Sequence, residues 1–309
     1  MRAFSREFMR PPSVIPVPSV IPEKRKTFGV ALGGGFARGV THIGVMKVLE
    51  EENIPIDFIA GTSAGAIMGA FYCAGMSAAE IEEVARAVRF RDFARWTLSR
   101  YGFCSNDRMV RFLAKALSVK NFSELKIPLA ITATDFRTGE PVVFTEGELF
   151  DPIRASCAYP GMFLPVEFGG RQYIDGMLAY AVPTTPLRQM GAECVLGVHL
   201  SAHWATGKPP RHVFEVMGQC LSIAQARLYD LWKKDADLVL EPDMSEFSYD
   251  CFERVGELIH VGEQAMREAL PGLTALLNLP GNEEVVASAP IEVIASANPA
   301  GADALSLAR

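Results

Sequence analysis

Gly61-Thr62-Ser63-Ala64-Gly65 sets a serine between two glycines at GxSxG spacing, between a predicted strand and a predicted helix. A strand turned abruptly into a helix holds its central residue in a strained conformation. Side chains two places to either side would collide, so glycine suits both Gly61 and Gly65. Ser63 is thereby pushed into the open at a helix N-terminus, where unpaired N–H groups and the helix dipole favour negative charge developing on a substrate oxygen. That suits nucleophilic attack on an acyl carbon; the plain alternative is a tight turn with a capping serine.

A second pattern, Gly33-Gly34-Gly35-Phe36-Ala37-Arg38-Gly39, also follows a strand and opens a helix. Backbone N–H groups of Gly33, Gly34 and Gly35 are expected to point into one concave site and hold an oxyanion, with Arg38 ordering the loop or adding charge. Such donors lower an acyl-transfer barrier by about 2.7 to 4 kcal/mol each. The competing reading is a dinucleotide fingerprint, with Gly33 and Gly35 at GxG spacing and Asp57 as the ribose ligand. Gly39 makes that spacing one residue too long, and the fingerprint leaves the GxSxG unexplained.

A serine nucleophile needs a base, because an unassisted hydroxyl is almost wholly protonated at neutral pH. Asp175, in Tyr173-Ile174-Asp175-Gly176-Met177, ends a predicted strand and precedes a glycine. Partial burial there would raise its pKa toward that of a useful base; the alternative is an ordinary Asp-Gly turn. His199 keeps a Ser-His-Asp triad open, since Ser63, Asp175 and His199 follow the chain order of α/β-hydrolases, although a histidine ending an apolar strand is more often structural. His42 reads as packing near the glycine loop. His199 and His203 are four apart, a ligand spacing only on a helix, and the stretch from Ser201 reads as loop, so no metal site is expected.

The elements that must position these groups follow from periodicity. Thr27 to Leu32 reads as a strand, and Ile43, Met46, Val48 and Leu49 recur at helical spacing within Val40 to Glu52. Asp57 to Gly61 gives a second strand feeding a helix that begins at Ser63, and Ser77, with Glu80 three places on, caps a third helix. Further strands are expected at Leu129 to Thr134, Pro141 to Phe144, Arg171 to Ile174, Cys194 to Leu200 and Asp237 to Leu240. Long helices are expected over Val213 to Lys234 and Phe252 to Leu270, the second with Val255, Leu258, Ile259 and Met266 as its apolar stripe. The fold class is α/β.

A chain of 309 residues, 49% hydrophobic, is ample for a large core. Its net charge of -6 argues against a nucleic-acid partner, whose phosphates are held mainly by basic side chains. Six cysteines lie far apart with no CxxC pair, which fits free thiols in a cytoplasmic protein. Residues 1–26 read as a flexible, basic, proline-rich arm, residues 27–275 as the main domain, and residues 276–309 as a loosely ordered tail. Phe58 to Ala79 holds 22 residues without a charge, yet it is dominated by Gly, Ala, Ser and Thr and reads as strand, turn and buried helix rather than a membrane span. Arg89 to Phe103 interleaves aromatics with arginines. It reads as a helix packing its aromatics inward, or as a lid offering peripheral contact to a membrane surface.

The glycine loop with Arg38, the elbow around Ser63 and the Asp-Gly at Asp175 together resemble the patatin-like phospholipase family. From about Phe28 to Leu270 the order and spacing are similar to bacterial members, including Thr134-Asp135 with Thr138-Gly139-Glu140, and Arg154-Ala155-Ser156 through Tyr159-Pro160-Gly161-Met162-Phe163. The resemblance implies a three-layer α/β/α sandwich with a mostly parallel central sheet and a Ser63–Asp175 dyad in place of a triad. It also implies hydrolysis of lipid or other amphiphilic acyl esters, with no metal or cofactor. Acyl transfer through the same acyl-enzyme, or a non-catalytic interaction role on the same fold, are the alternatives. Phe36 stands where many bacterial members carry another glycine, and Met177 where glycine or alanine is frequent. Both are expected to bear on substrate size more than on catalysis.

Overall fold

A computed structural model describes residues 25–200, 213–279 and 293–294. Most of the arm expected over residues 1–26, most of the tail expected over 276–309, and His203 lie outside the described residues. The chain runs β1 (Phe28–Leu32), α1 (Thr41–Glu51), β2 (Phe58–Thr62), α2 (Ala64–Cys73), α3 (Ala78–Ala87), a one-turn α4 (Phe90–Phe93), β3 (Arg95–Ser99), β4 (Gly102–Ser105) and α5 (Arg108–Ala116). It continues through β5 (Leu129–Asp135), β6 (Pro141–Phe144), α6 (Phe150–Ser156), β7 (Val166–Phe168), β8 (Arg171–Asp175), α7 (Thr184–Met190) and β9 (Cys194–Val198). Then follow α8 (Val213–Arg227), α9 (Tyr229–Lys233), β10 (Leu238–Leu240), α10 (Val255–Leu276) and a two-residue β11 (Val293–Ile294).

Residue alternation sorts bulky side chains to one sheet face and small ones to the other. Phe28, Val30 and Leu32 of β1, Ile59 of β2, and Leu129 and Ile131 of β5 enter one core with α1, α2, α3 and α10. Ala31, Ala60 and Ala130 enter the opposite core, where they meet Leu187 of α7 and Trp232 of α9. With helices on both faces, the molecule is the α/β/α sandwich that the family resemblance implied.

Nine of the eleven described strands form one sheet, ordered β11-β10-β9-β1-β2-β5-β8-β7 with β6 also on β5, and β3 pairs with β4 in a second. Pairing is parallel from β10 through β9, β1 and β2 to β5, and antiparallel from β5 to β8 and β6. The glycine loop and the elbow therefore leave the carboxyl ends of two adjacent central strands, where open α/β sheets place their ligands.

Several expectations are met closely. The 22-residue uncharged stretch is β2, the elbow, α2 and the start of α3, and Ser77 forms a capping box with Glu80. Arg25, assigned to the arm by sequence, grips Asp57 through both terminal guanidinium nitrogens at 2.7 and 2.9 Å, and Asp57 also accepts the Phe28 N–H. Other expectations need correction. The long helix over Val213 to Lys234 breaks at Leu228, which lets Tyr229 and Trp232 turn back onto His199 at ring separations of 5.7 and 5.2 Å. The final helix is displaced to Val255–Leu276, although its stripe is buried as expected. It crosses α1 where Gly44 and Gly262 let the two backbones touch; a Cβ on Gly262 would overlap the Thr41 carbonyl. Arg89 to Phe103 is one helical turn followed by the β3–β4 hairpin, with Trp96, Tyr101 and Phe103 facing outward, so the inward-packed helix is overturned. No helix among the described residues is long and apolar enough to cross a membrane.

Candidate active site

Ser63 sits between β2 and α2 with φ 55° and ψ −122°, a conformation that costs a non-glycine residue on the order of 1–3 kcal/mol. The surroundings enforce it. A Cβ on Gly61 would stand 2.5 Å from the Gly65 carbonyl, and one on Gly65 would overlap the Leu32 carbonyl, so the elbow accepts glycine at both flanks. Thr62 anchors the strand end, its hydroxyl donating to the Tyr180 carbonyl at 2.8 Å and sharing a 2.7 Å hydrogen bond with the Thr132 hydroxyl. The Ser63 backbone N–H donates to Oγ of Ser156 at 2.8 Å. Ser156 is fully buried at the end of α6 and was not singled out by sequence; 93 positions away, it offers no local spacing to find it, only its place in the Arg154-Ala155-Ser156 run.

The Ser63 hydroxyl donates to Oδ2 of Asp175 at 2.8 Å. Asp175 ends β8, whose antiparallel register with β5 brings it opposite Ala133, and its main chain is pinned by the Ala158 carbonyl and the Thr134 hydroxyl. Gly176 follows because a side chain there would overlap the Thr132 carbonyl. The carboxylate has no exposed surface, and burial pushes its pKa up to about 7 against the opposing pull of the Met177 N–H on Oδ1 (2.9 Å) and the Ser63 hydroxyl. A carboxylate with that affinity for protons is suited to removing one from a neutral hydroxyl near neutral pH.

The glycine loop lies against the elbow: a Cβ on Gly34 would meet the Ser63 Cβ at 3.4 Å. Three donors were expected here, and one is spent. The Gly33 N–H donates to the Val198 carbonyl at 3.0 Å, because the β1–β9 pairing runs one residue past the strand end, while the Gly33 carbonyl accepts from Nε2 of His42 at 2.8 Å. Gly34 and Gly35 N–H groups donate to no protein group among the described residues and border the same cavity as Ser63. Arg38 is buried in the 3₁₀ turn after the loop, its N–H returning to the Gly35 carbonyl at 3.1 Å. Phe36 holds φ 52°, the left-handed region that favours glycine. Its ring packs on Phe90, Tyr249 and Phe252, which offsets the backbone strain.

Neither of the two inner histidines bonds Ser63. His42 is wholly buried and burial drives its pKa down to about 4, leaving a neutral ring that donates to Gly33 and braces the loop. His199 gives Nδ1 to Oε1 of Glu241 at 2.8 Å and stacks among Tyr229 and Trp232. The triad order in the sequence thus does not bring His199 to the Ser63 hydroxyl.

Ser63 opens into a cavity of about 190 Å³ whose walls include Ile67, Met68, Phe71, Val84, Met109 and Phe112. Met177, His199, Ser222 and Gln225, all part-exposed, line it as well, as does Phe36 of the glycine loop. A serine on the wall of a largely apolar cavity suits a substrate with a long hydrocarbon part and a reactive carbonyl.

Elbow, buried carboxylate and glycine loop meet at the carboxyl ends of parallel strands, which is the design of the nucleophile-elbow α/β class. Within that class the chain belongs to the patatin-like phospholipase family, whose sequence model matches residues 30–188. It is 33% identical over 175 residues to an uncharacterized NTE family protein of Mycobacterium bovis, covering 56% of this chain and 48% of that one. It is 26% identical over 294 residues to lysophospholipase NTE1 of Mycosarcoma maydis, covering 84% of this chain and 15% of the relative. Human patatin-like phospholipase domain-containing protein 6 is 29% identical over 236 residues, with 71% and 16% covered. The chain thus spans about half the length of the mycobacterial relative and a small part of the other two. Among solved structures, VipD from Legionella pneumophila has the same fold, with a TM-score of 0.52 at 11% identity over 80% of this chain and 67% of VipD.

Proposed function

We propose that the chain hydrolyses fatty acyl esters of lipids through an acyl-enzyme on Ser63, with Asp175 as the base. The observation that carries this reading is the 2.8 Å hydrogen bond to a buried carboxylate from the hydroxyl of Ser63, which lines an apolar cavity. Asp175 takes the Ser63 proton as Oγ attacks the ester carbonyl, and the Gly34 and Gly35 N–H groups receive the charge that develops on the carbonyl oxygen. The tetrahedral intermediate collapses, the carbonyl–alcohol bond breaks, and the departing alkoxide takes the proton from Asp175. Water then attacks the acyl-Ser63 carbonyl while Asp175 accepts its proton; the fatty acid leaves and the proton returns to Ser63.

Membership of the patatin-like phospholipase family and similarity to the fungal lysophospholipase support the substrate class. The apolar lining of the cavity supports a single acyl chain as the buried part of the substrate.

The test is fatty acid release from a short-chain nitrophenyl ester and from a lysophospholipid by the wild-type protein and by Ser63→Ala, Asp175→Asn and His199→Ala variants. Loss in the first two with activity retained in the third is expected. Loss in a folded His199→Ala protein would replace the dyad with a triad, and no release by the wild type would remove the hydrolase reading.

A further inference from the structure

The outer surface around the cavity mouth is apolar in two places that the catalytic reading does not use. On α8, Gly218, Ser222 and Gln225 border the cavity, while Val213, Val216 and Ile223 lie on the opposite side of the helix and are 59%, 44% and 55% exposed. Cys220 shares that outer stripe and is exposed too. Residues at 213, 216, 220 and 223 follow the three-and-four spacing of one helix face, so this is a continuous apolar stripe and not scattered side chains. Leu228 and Leu231, beyond the helix break, are 41% and 60% exposed.

The second place is the β3–β4 hairpin, where Trp96 is 71%, Tyr101 60% and Phe103 49% exposed. Both features join the same piece of the rim. The hairpin is hydrogen-bonded to it through the Phe103 and Cys104 N–H groups on the Met162 carbonyl, at 3.1 and 2.8 Å. Helix α8 seats Met217 against Gly161, two residues back in the chain from Phe163, which itself borders the cavity. Stripe and hairpin therefore belong to elements that both attach to the Gly161–Phe163 segment, of which Met162 and Phe163 line the cavity.

Charge selects the occupant. Residues 89–111 carry Arg89, Arg91, Arg95, Arg100, Arg108 and Arg111 against only Asp92 and Asp107, in a chain whose net charge is -6. Arg95 is paired with Asp107, and the Arg100 guanidinium lies over the Tyr101 ring at 4.9 Å to its centroid. Aromatic rings interleaved with arginines beside an exposed aliphatic stripe match the interface of a bilayer: rings at the headgroup level, aliphatic groups below, cations on anionic headgroups.

We propose that the outer stripe of α8 and the β3–β4 hairpin together seat the cavity mouth on an anionic lipid surface. Ser63 then draws its substrate directly from that surface, a step that rests on the hydrolase reading above. Contact with the surface itself does not.

The experiment uses the full chain carrying Ser63→Ala, so that binding is measured without turnover. Co-sedimentation is followed with vesicles of phosphatidylcholine alone and of phosphatidylcholine mixed with phosphatidylglycerol. Partition onto the mixed vesicles is expected to exceed that onto phosphatidylcholine and to fall with added salt. A Val216→Gln, Ile223→Gln variant and a Trp96→Ser, Tyr101→Ser variant should each lose at least about tenfold in partition. Arg100→Gln should cost roughly fivefold on the mixed vesicles only. In the Ser63 protein the same surface substitutions should leave hydrolysis of a soluble nitrophenyl ester unchanged, which shows that they fold. Equal binding by the surface variants, or no binding to either vesicle, overturns the proposal even if hydrolysis is intact. A dimer in solution that Val216→Gln, Ile223→Gln dissociates would assign the stripe to a second copy and overturn it as well. Loss of hydrolysis with vesicle binding preserved would sink the catalytic reading alone.

Discussion

The Ser63 hydroxyl donates a 2.8 Å hydrogen bond to Oδ2 of Asp175, a carboxylate with no exposed surface. Groups that act as one unit are not additive when removed. Ser63→Ala and Asp175→Asn are therefore each expected to lower kcat by about 10⁴-fold, and the double variant to be no slower than the worse single one. Steady-state rates on a soluble ester check this; a double variant slower than either single by a further large factor would mean that Asp175 acts elsewhere.

In the proposed mechanism Asp175 must be ionised to take the proton, and burial holds its pKa up to about 7. The rate kcat/KM is thus expected to rise with pH through about 7 and level off above it. Stability should respond in the opposite sense. The folded protein keeps Asp175 protonated over a range where the unfolded chain has lost that proton, so stability from this group is full below about pH 4 and is lost as pH rises to about 7, at about 1.4 kcal/mol per pH unit. His42 runs against it. Its folded pKa is pushed down to about 4, so its contribution is full above about pH 6.5 and is lost as pH falls toward 4. The two slopes nearly cancel in the wild type, and Asp175→Asn should uncover the His42 slope as a new sensitivity to acid. Denaturant unfolding of both proteins at pH 5 and pH 7.5, values taken as roughly bracketing the His range, decides it: parallel curves would sink the assignment of the raised pKa to Asp175.

Ser156 holds the elbow through its backbone, its Oγ receiving the Ser63 N–H at 2.8 Å. Ser156→Ala leaves that buried donor unpaired next to a strained residue, at a cost of about 1–3 kcal/mol in stability. A fall in kcat with little change in KM is expected, because the nucleophile is displaced while the acyl cavity is untouched. Ser156→Thr keeps the oxygen and should recover part of the rate, which distinguishes positioning from mere destabilisation.

What can be read from the sequence follows the range of each interaction. The elbow, the glycine loop and the Asp-Gly turn are local patterns, and backbone geometry alone dictates their residue types, so Gly61, Ser63, Gly65 and Asp175 are legible in the sequence itself. Ser156 is not, because its partner lies 93 positions away. Gly33 was expected to donate to the site, but sheet pairing claims its N–H, and register between β1 and β9 is a long-range property. Phe90, Phe93 and Trp96 follow helical spacing, yet the chain turns extended after Phe93 because β3 finds β4 as a partner; pairing outweighs periodicity over so short a run. The break at Leu228 carries no Gly or Pro and is set by the packing of Tyr229 and Trp232 on His199.

The glycines of the site divide into those the fold needs and one that the proposed chemistry needs. On Gly65 a methyl group would overlap the Leu32 carbonyl, so Gly65→Ala is expected to cost several kcal/mol and to yield little folded protein. On Gly34 the nearest atom would be the Ser63 Cβ at 3.4 Å, an ordinary contact, so Gly34→Ala should fold. Its methyl group would nonetheless crowd the space beside Ser63 in which, on the proposed mechanism, the substrate oxygen approaches the Gly34 and Gly35 amides. A loss of about 10²–10³-fold in kcat is expected, the range seen when an oxyanion donor is lost. Circular dichroism and kcat measured on the same Gly34→Ala preparation test this directly. A folded variant with the wild-type rate would move the oxyanion site away from the glycine loop.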